Sequence, residues 1–328
     1  MSRLARVSGC GFMYSLCGSV LATYQGYLRP VTKSRTATGA QHATPTLIRP
    51  DGAEIHYEVH GSGYPLLLLA PGGVSSEIAA WERSAFNPIE RFSSDFMVIA
   101  MDQRYAGRSR APLMPFSYEQ TLGDQIAVLN DLTLPRAHVM GGCIGCAFAL
   151  RMMDEATARV SAAVLQDPVG LDETNRMGTY YRRFNETIRV ARAEGLGAVV
   201  AAAKQNPRFV DNPAGGPWSQ RLHDQDAFEG ALMSLGREGY IATVIDFRDG
   251  IWPWQQPFIS VNEVAVERIP HPLLILPGSD ELHPTGVAEK LAALAPDAEL
   301  MDVDCRAPAN VDATVEHVRE FLLRNTPA

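Results

Sequence analysis

The stretch Ala137-His138-Val139-Met140-Gly141-Gly142-Cys143-Ile144-Gly145-Cys146 decides the fold of this chain. Ala137 to Met140 is apolar and strand-like, and Ile144 to Met153, drawn as a helix, has almost no polar face. Gly141 and Gly145 flank the junction. They permit a sharp turn that raises Cys143 above the sheet. The helix starting there puts partial positive charge beside the sulfur, which favours thiolate, the more reactive form. Cys143 is the candidate nucleophile.

The segments around it define the class. Thr46–Arg49 and Ala53–Val59, joined by Pro50-Asp51-Gly52, alternate as an antiparallel hairpin would. Pro65–Ala70, Phe96–Met101, Ala137–Met140 and Ala162–Leu165 are short apolar runs, as expected of strands buried on both faces. Helical segments around Ser76–Phe92 and Tyr118–Leu132 separate them. This alternation implies an α/β fold, a mostly parallel central sheet flanked by helices with right-handed crossovers. From Gly170 to about Glu267 the strand rhythm stops. Helical stretches at Asp172–Lys204 and Asp226–Leu235, with the aromatic loop Ile251-Trp252-Pro253-Trp254, read as an inserted, mainly helical lid. Strands resume at Pro272–Leu276 and Glu299–Val303, with helices at Thr285–Leu294 and Val311–Leu323. The expected organisation is a leader or linker over 1–45, core over 46–169, lid over 170–267 and core again over 268–328.

In such sheets ligands bind beyond the carboxyl ends of the strands, so the residues following each strand carry the chemistry. Those stretches are Pro71-Gly72-Gly73, Asp102-Gln103-Arg104 through Ser109, Gly141-Gly142-Cys143-Ile144-Gly145 and Asp280 through His283-Pro284. Together they resemble the α/β-hydrolase superfamily, in which a strand–nucleophile–helix elbow usually carries serine. Cysteine here resembles the branch that includes dienelactone hydrolases. The likeness runs from about residue 46 to the end, the lid excepted. It implies an oxyanion hole from the amides of Gly73 and Ile144 and a structural role for the Asp102–Ser109 loop. It also implies an acid at Asp280, 137 residues after Cys143, with Asp167 as the alternative.

The sequence departs from that family at the base. The loop Asp304-Cys305-Arg306-Ala307-Pro308-Ala309-Asn310, where a histidine is usual, has none. Of the eight histidines, His283 alone follows a strand at the correct edge of the sheet, three residues after Asp280. It is the candidate base or thiolate partner, oriented by Asp280. The alternative is a capping or pocket-lining histidine.

The expected activity is cofactor-independent hydrolysis of a small ester, lactone or thioester through a cysteine acyl-enzyme. Acyl transfer by the same nucleophile is the runner-up, and a non-catalytic ligand-binding protein is the alternative from another class. Cys143-Ile144-Gly145-Cys146 is also a C-x-x-C opening a helix, which admits a thiol–disulfide role, with Cys146 otherwise read as packing. Cys305 in the vacated loop invites a disulfide with Cys143. Tyr180, Tyr181, Phe184, Trp218, Trp252 and Trp254 are candidates to line an apolar pocket or to pack the lid.

Composition sets the bounds. The chain has 328 residues, 46% hydrophobic and 20% charged, with net charge −8. The first 50 residues hold six basic groups and no acid, leaving 23 basic against 37 acidic residues beyond them. An acidic body argues against nucleic acid or anionic membrane as partner. A small molecule is the expected partner, with homo-oligomer formation left open. Five cysteines in a long chain are no disulfide framework, and a cytoplasmic location is expected. No integral membrane span is expected, because Val7–Tyr24 is short and interrupted by glycines. That acid-free leader admits a targeting peptide as an alternative to disorder. No cofactor or metal site is expected.

Overall fold

The computed structural model describes residues 46–328 apart from 225 and 255. The leader expected over 1–45, with its targeting reading, lies outside the described residues. Eight strands form one sheet: β1 (Thr46–Ile48), β2 (Glu54–His60), β3 (Tyr64–Leu69), β4 (Phe96–Met101), β5 (Ala137–Gly142), β6 (Val160–Gln166), β7 (Leu273–Leu276) and β8 (Ala298–Leu300). Their order is β1-β2-β4-β3-β5-β6-β7-β8. β1 and β2 pair antiparallel, as do β2 and β4, and every later pairing is parallel.

The apolar runs behave as two-sided strands. Leu67 and Leu69 enter one core together with Ile144 and Phe148. Leu66, Leu68 and Ala70 enter the other with Trp81 and Phe321. Residues one apart thus face opposite layers, which is why these strands lack the polar alternation of β2.

The helices are α1 (Pro88–Phe92), α2 (Tyr118–Asp131), α3 (Ile144–Glu155), α4 (Met177–Glu194), α5 (Leu196–Gln205), α6 (Ser219–Asp224), α7 (Asp226–Ser234), α8 (Gly236–Ile251), α9 (Glu263–Val266), α10 (Thr285–Leu294) and α11 (Val311–Arg324). Three stretches differ from expectation. Ser76–Phe92 is not one helix: two 3-10 turns, Gly73–Ser75 and Ile78–Arg83, precede α1, which starts at Pro88 under an Asn87 cap. The long helix expected after Asp172 is divided into α4 and α5 at Gly195, where φ is 85°. The helix α8 follows α7 almost directly and occupies the stretch before the aromatic loop, to which the sequence reading assigns no element. α4 to α9 all lie in sequence between β6 and β7.

The Asp102–Ser109 loop is an anchor. Asp102 accepts hydrogen bonds from the amides of Ile78 (2.7 Å) and Arg108 (2.8 Å). Buried Arg104 grips Asp124 with two bonds, 2.6 and 2.8 Å, and reaches Asp51 at 2.9 Å. These contacts join the loop to the first 3-10 segments and to α2. Among the described residues no helix is long and apolar enough to cross a membrane.

Candidate active site

Cys143 stands between β5 and α3 at φ 53°, ψ −118°. Two close approaches force this turn. A Cβ on Gly145 would lie 1.9 Å from the Leu69 carbonyl oxygen, and one on Gly141 would lie 2.3 Å from the Gly145 oxygen. The Cys143 amide donates to the Gln166 carbonyl at 2.9 Å, tying the apex to the end of β6. The side chain is half-buried at the floor of a cavity of about 440 Å³.

His283 reaches the same cavity from the turn after β7 and is buried. Its turn closes on Asp280, whose Oδ1 accepts from the amides of Leu282 (2.9 Å) and His283 (3.0 Å). The ring is held through Nδ1, 2.8 Å from Asp280 Oδ1 and 3.0 Å from Oδ2. A carboxylate only accepts, so Nδ1 carries the proton and donates. That leaves Nε2 buried without a completed hydrogen bond. The Cys143 thiol is the group whose charge bears most on this ring.

The electrostatics favour an ion pair. Burial pushes the Cys143 thiol up, but the His283 charge and hydrogen bond, with the amides of Gly72 and Ile144, outweigh it and lower the pKa below that of an ordinary thiol. Burial pulls the His283 imidazole down, and Cys143 and Asp280 overcome this, raising it to about 10. The Asp280 carboxyl is held well below the usual carboxylate range, chiefly by its bond to His283.

The Ile144 amide bears on the sulfur. On the opposite loop the amide that bears on the sulfur is that of Gly72. Gly73 follows it as the first residue of the 3-10 turn, at φ 62°. Asp167 follows β6 in a left-handed conformation, φ 52°, and also lines the cavity. It makes no hydrogen bond with His283; its Oδ2 accepts from Arg306 Nε at 3.0 Å. Burial pushes its carboxyl up, against the pull of Arg306 and His283.

Arg306, on the loop after β8, lines the same cavity and carries no role in the sequence reading. Its position in the loop where a base was expected was the available signal.

Other expectations resolve differently. Cys146 is buried, with Sγ 3.2 Å from the carbonyls of both Gly141 and Gln166, a packing role. Cys305 is buried against Met301 and Val303, is a free thiol, and does not line the cavity. None of the six aromatic candidates lines it either. Tyr180 stacks on Trp252 and places its hydroxyl between the carbonyls of Gly170 and Leu282, bracing the His283 turn. Trp218 packs edge-on against Tyr240 and Phe247. The lining of the cavity is mixed instead, with Glu77, Arg83, Arg208 and Gln220 beside apolar Pro71, Ala80, Ala85 and Val210. His138 is buried in β5 against Tyr64 and Phe96, away from the site. Among the described residues no group of three or more His, Cys, Asp or Glu side chains is placed to hold a metal ion.

The chain is similar to known proteins over most of its length. It is 28% identical to RutD of Azorhizobium caulinodans, provisionally assigned as a carbamate hydrolase, over 83% of this chain and 94% of that one. It is 29% identical to the protein of the same name from Caulobacter segnis, over 76% of this chain and 87% of that one. Among solved structures, the meta-cleavage product hydrolase CumD of Pseudomonas fluorescens superposes with a TM-score of 0.58 at 18% identity, over 86% of this chain and 98% of that one. The family described as alpha/beta hydrolase fold matches residues 65–313. With that match, the sheet order and the strand–turn–helix elbow all in agreement, the chain belongs to the alpha/beta hydrolase fold family and is an enzyme of hydrolase type.

Proposed function

We propose that this enzyme cleaves a small ester, lactone or thioester through a covalent acyl-cysteine, placing it in a cysteine-nucleophile branch like that of dienelactone hydrolases. The observation that carries this reading is one cavity holding Cys143 at the elbow and His283 fixed by Asp280 through Nδ1, with Nε2 free of other partners. The Cys143 thiolate attacks the carbonyl carbon, and the carbonyl π electrons move to oxygen. The Ile144 amide and an amide of the Gly72-Gly73 turn stabilise that oxyanion. The imidazolium of His283 gives its proton to the leaving group as the tetrahedral intermediate collapses to the acyl-enzyme. Neutral His283 then takes a proton from water, whose oxygen attacks the acyl carbon and releases the acid and the thiolate.

Residues 170–267 act in this reading as a lid over the strand ends. The bonds from Tyr180 and Asn175 to the 281–282 backbone support it, because they couple α4 and the loop before it to the His283 turn. The relatives named for carbamate hydrolysis add carbamates to the substrates worth testing. A cavity of about 440 Å³ lined by both charged and apolar side chains favours a small substrate that carries hydrogen-bonding groups.

Intact mass spectrometry with an activated ester such as p-nitrophenyl acetate is the test. A transient acetyl adduct on wild type, absent from Cys143→Ala together with turnover, is expected. Turnover that persists unchanged in Cys143→Ala, with no adduct on wild type from esters, thioesters or carbamates, refutes it.

A further inference from the structure

We propose that Arg306 is a positioning residue that decides which of two aspartates serves His283. The inference rests on the proposed cysteine chemistry and extends it to a residue without an assigned role.

Three strand ends converge here. Asp167 and Asp280 follow β6 and β7, and Arg306 arrives on the loop after β8. The loop is set before its side chain is placed: the Arg306 amide donates to Asp304 Oδ1 at 2.9 Å, Asn310 Nδ2 donates to the Asp304 carbonyl at 3.0 Å, and Cys305 is buried beneath. The guanidinium then spans both acids. Nε lies 3.0 Å from Asp167 Oδ2 and Nη1 lies 2.9 Å from Asp280 Oδ2. Its Nη2 lies 3.4 Å from His283 Nδ1, so the whole group packs against the ring edge.

Two carboxylates beside one imidazole make a contest. Asp167 Oδ1 is buried without a partner, and Asp167 already senses the His283 charge. Arg306 ends the contest by engaging Oδ2 of both acids. It draws Asp167 to the β8 side and leaves Asp280 Oδ1 for Nδ1–H. Nε2 is thereby aimed at Cys143. A planar fork suits this task, since it meets two separate carboxylates at fixed angles, which an ammonium on a flexible stem does not.

The titratable groups around the Cys143–His283 pair are Asp280 on its own turn, Asp167, Arg306, Tyr180 from α4, Tyr118 from α2 and Cys146 on α3, with Glu77, Arg83 and Arg208 lining the same cavity. Of the three arginines, Arg306 is the one bonded to the aspartate that orients His283.

The test reads Cys143 directly, by its rate of alkylation with iodoacetamide between pH 5 and 9, so it does not depend on knowing the substrate. In Arg306→Gln the freed Asp167 competes for the imidazole, and the alkylation rate at pH 6 falls by up to about tenfold as the thiolate limb moves to higher pH, by about one unit. Arg306→Lys keeps the charge without the fork and falls between Gln and wild type. Arg306→Gln with Asp167→Asn removes the competitor and recovers most of the loss. A purely structural role predicts that the double variant is no better than Arg306→Gln, with the pH limb unmoved in both; either result, in protein shown folded by circular dichroism, overturns the proposal. A normal alkylation profile without ester turnover would instead count against the hydrolase reading alone.

Discussion

Cys143 occupies φ 53°, ψ −118°, a backbone region that L side chains rarely adopt. Holding a non-glycine residue there costs about 1–3 kcal/mol. Cys143→Ala and Cys143→Gly both delete the sulfur, so the difference between them isolates the backbone. Glycine carries a penalty of about 0.4–1 kcal/mol from the greater freedom of the unfolded chain. The strain exceeds it, and the glycine variant is expected to be the more stable of the two by about 1 kcal/mol, and by no more than about 2.6. In a domain of this size that is a rise in Tm of about 2–4 °C. Urea titration of both variants, with equal m-values, measures it. The surrounding contacts predict the same sign, because they hold the turn whatever its residue: the amide of position 143 donates to Gln166 and its carbonyl accepts from Cys146. An alanine variant more stable than the glycine variant by the ordinary amount would show that the elbow is relaxed, and the argument from strain would fail.

Two further outcomes follow from the same geometry. Removing the imidazole in His283→Gln leaves burial as the dominant influence on the Cys143 thiol, so its pKa rises. The thiolate, which in wild type persists below the pH of an ordinary thiol and is lost only as pH falls through the lowered pKa, then appears only at alkaline pH. Alkylation at pH 7 therefore slows, and the acyl-transfer rate with activated esters falls by about 10²–10⁴; an unchanged alkylation profile would contradict the pairing. Arg104→Met strands the fully buried Asp124, for which Arg49 at 2.9 Å is only a partial substitute, and is expected to cost about 3 kcal/mol in urea denaturation. A loss below about 1 kcal/mol would mean that the Asp102–Ser109 loop is anchored by its backbone bonds alone.

Much of the fold was legible because its signals are local. A run such as Leu66–Ala70 is apolar at every position, and in a short segment only burial on both faces explains that. Gly141 and Gly145 mark the elbow because a Cβ at either would strike backbone, a constraint set by neighbours in chain and strand. The Asp280–His283 pairing was equally readable, since three residues within one turn bring the carboxylate and ring together. The helices between β6 and β7 were less so. Gly195 interrupts a continuous pattern without changing its composition, and α8 follows α7 without a loop to announce it.

By itself, then, the sequence determined the layered α/β architecture, the elbow cysteine and the local acid–histidine turn. These follow from periodicity, glycine sterics and contacts within a few residues. Tertiary structure decided everything that joins distant segments. It brought His283 to Cys143, because parallel strands align their carboxyl ends whatever their separation in the chain. It kept Tyr180, Phe184, Trp218 and Trp252 out of the cavity, in packing of their own, and lined the cavity with charged and apolar side chains together. It also filled the place of the missing histidine with Arg306, whose meaning depends on two aspartates 139 and 26 positions away. Charge complementarity over such separations is invisible in a linear reading, because any arginine has many acids to choose from until the backbone selects which ones it meets.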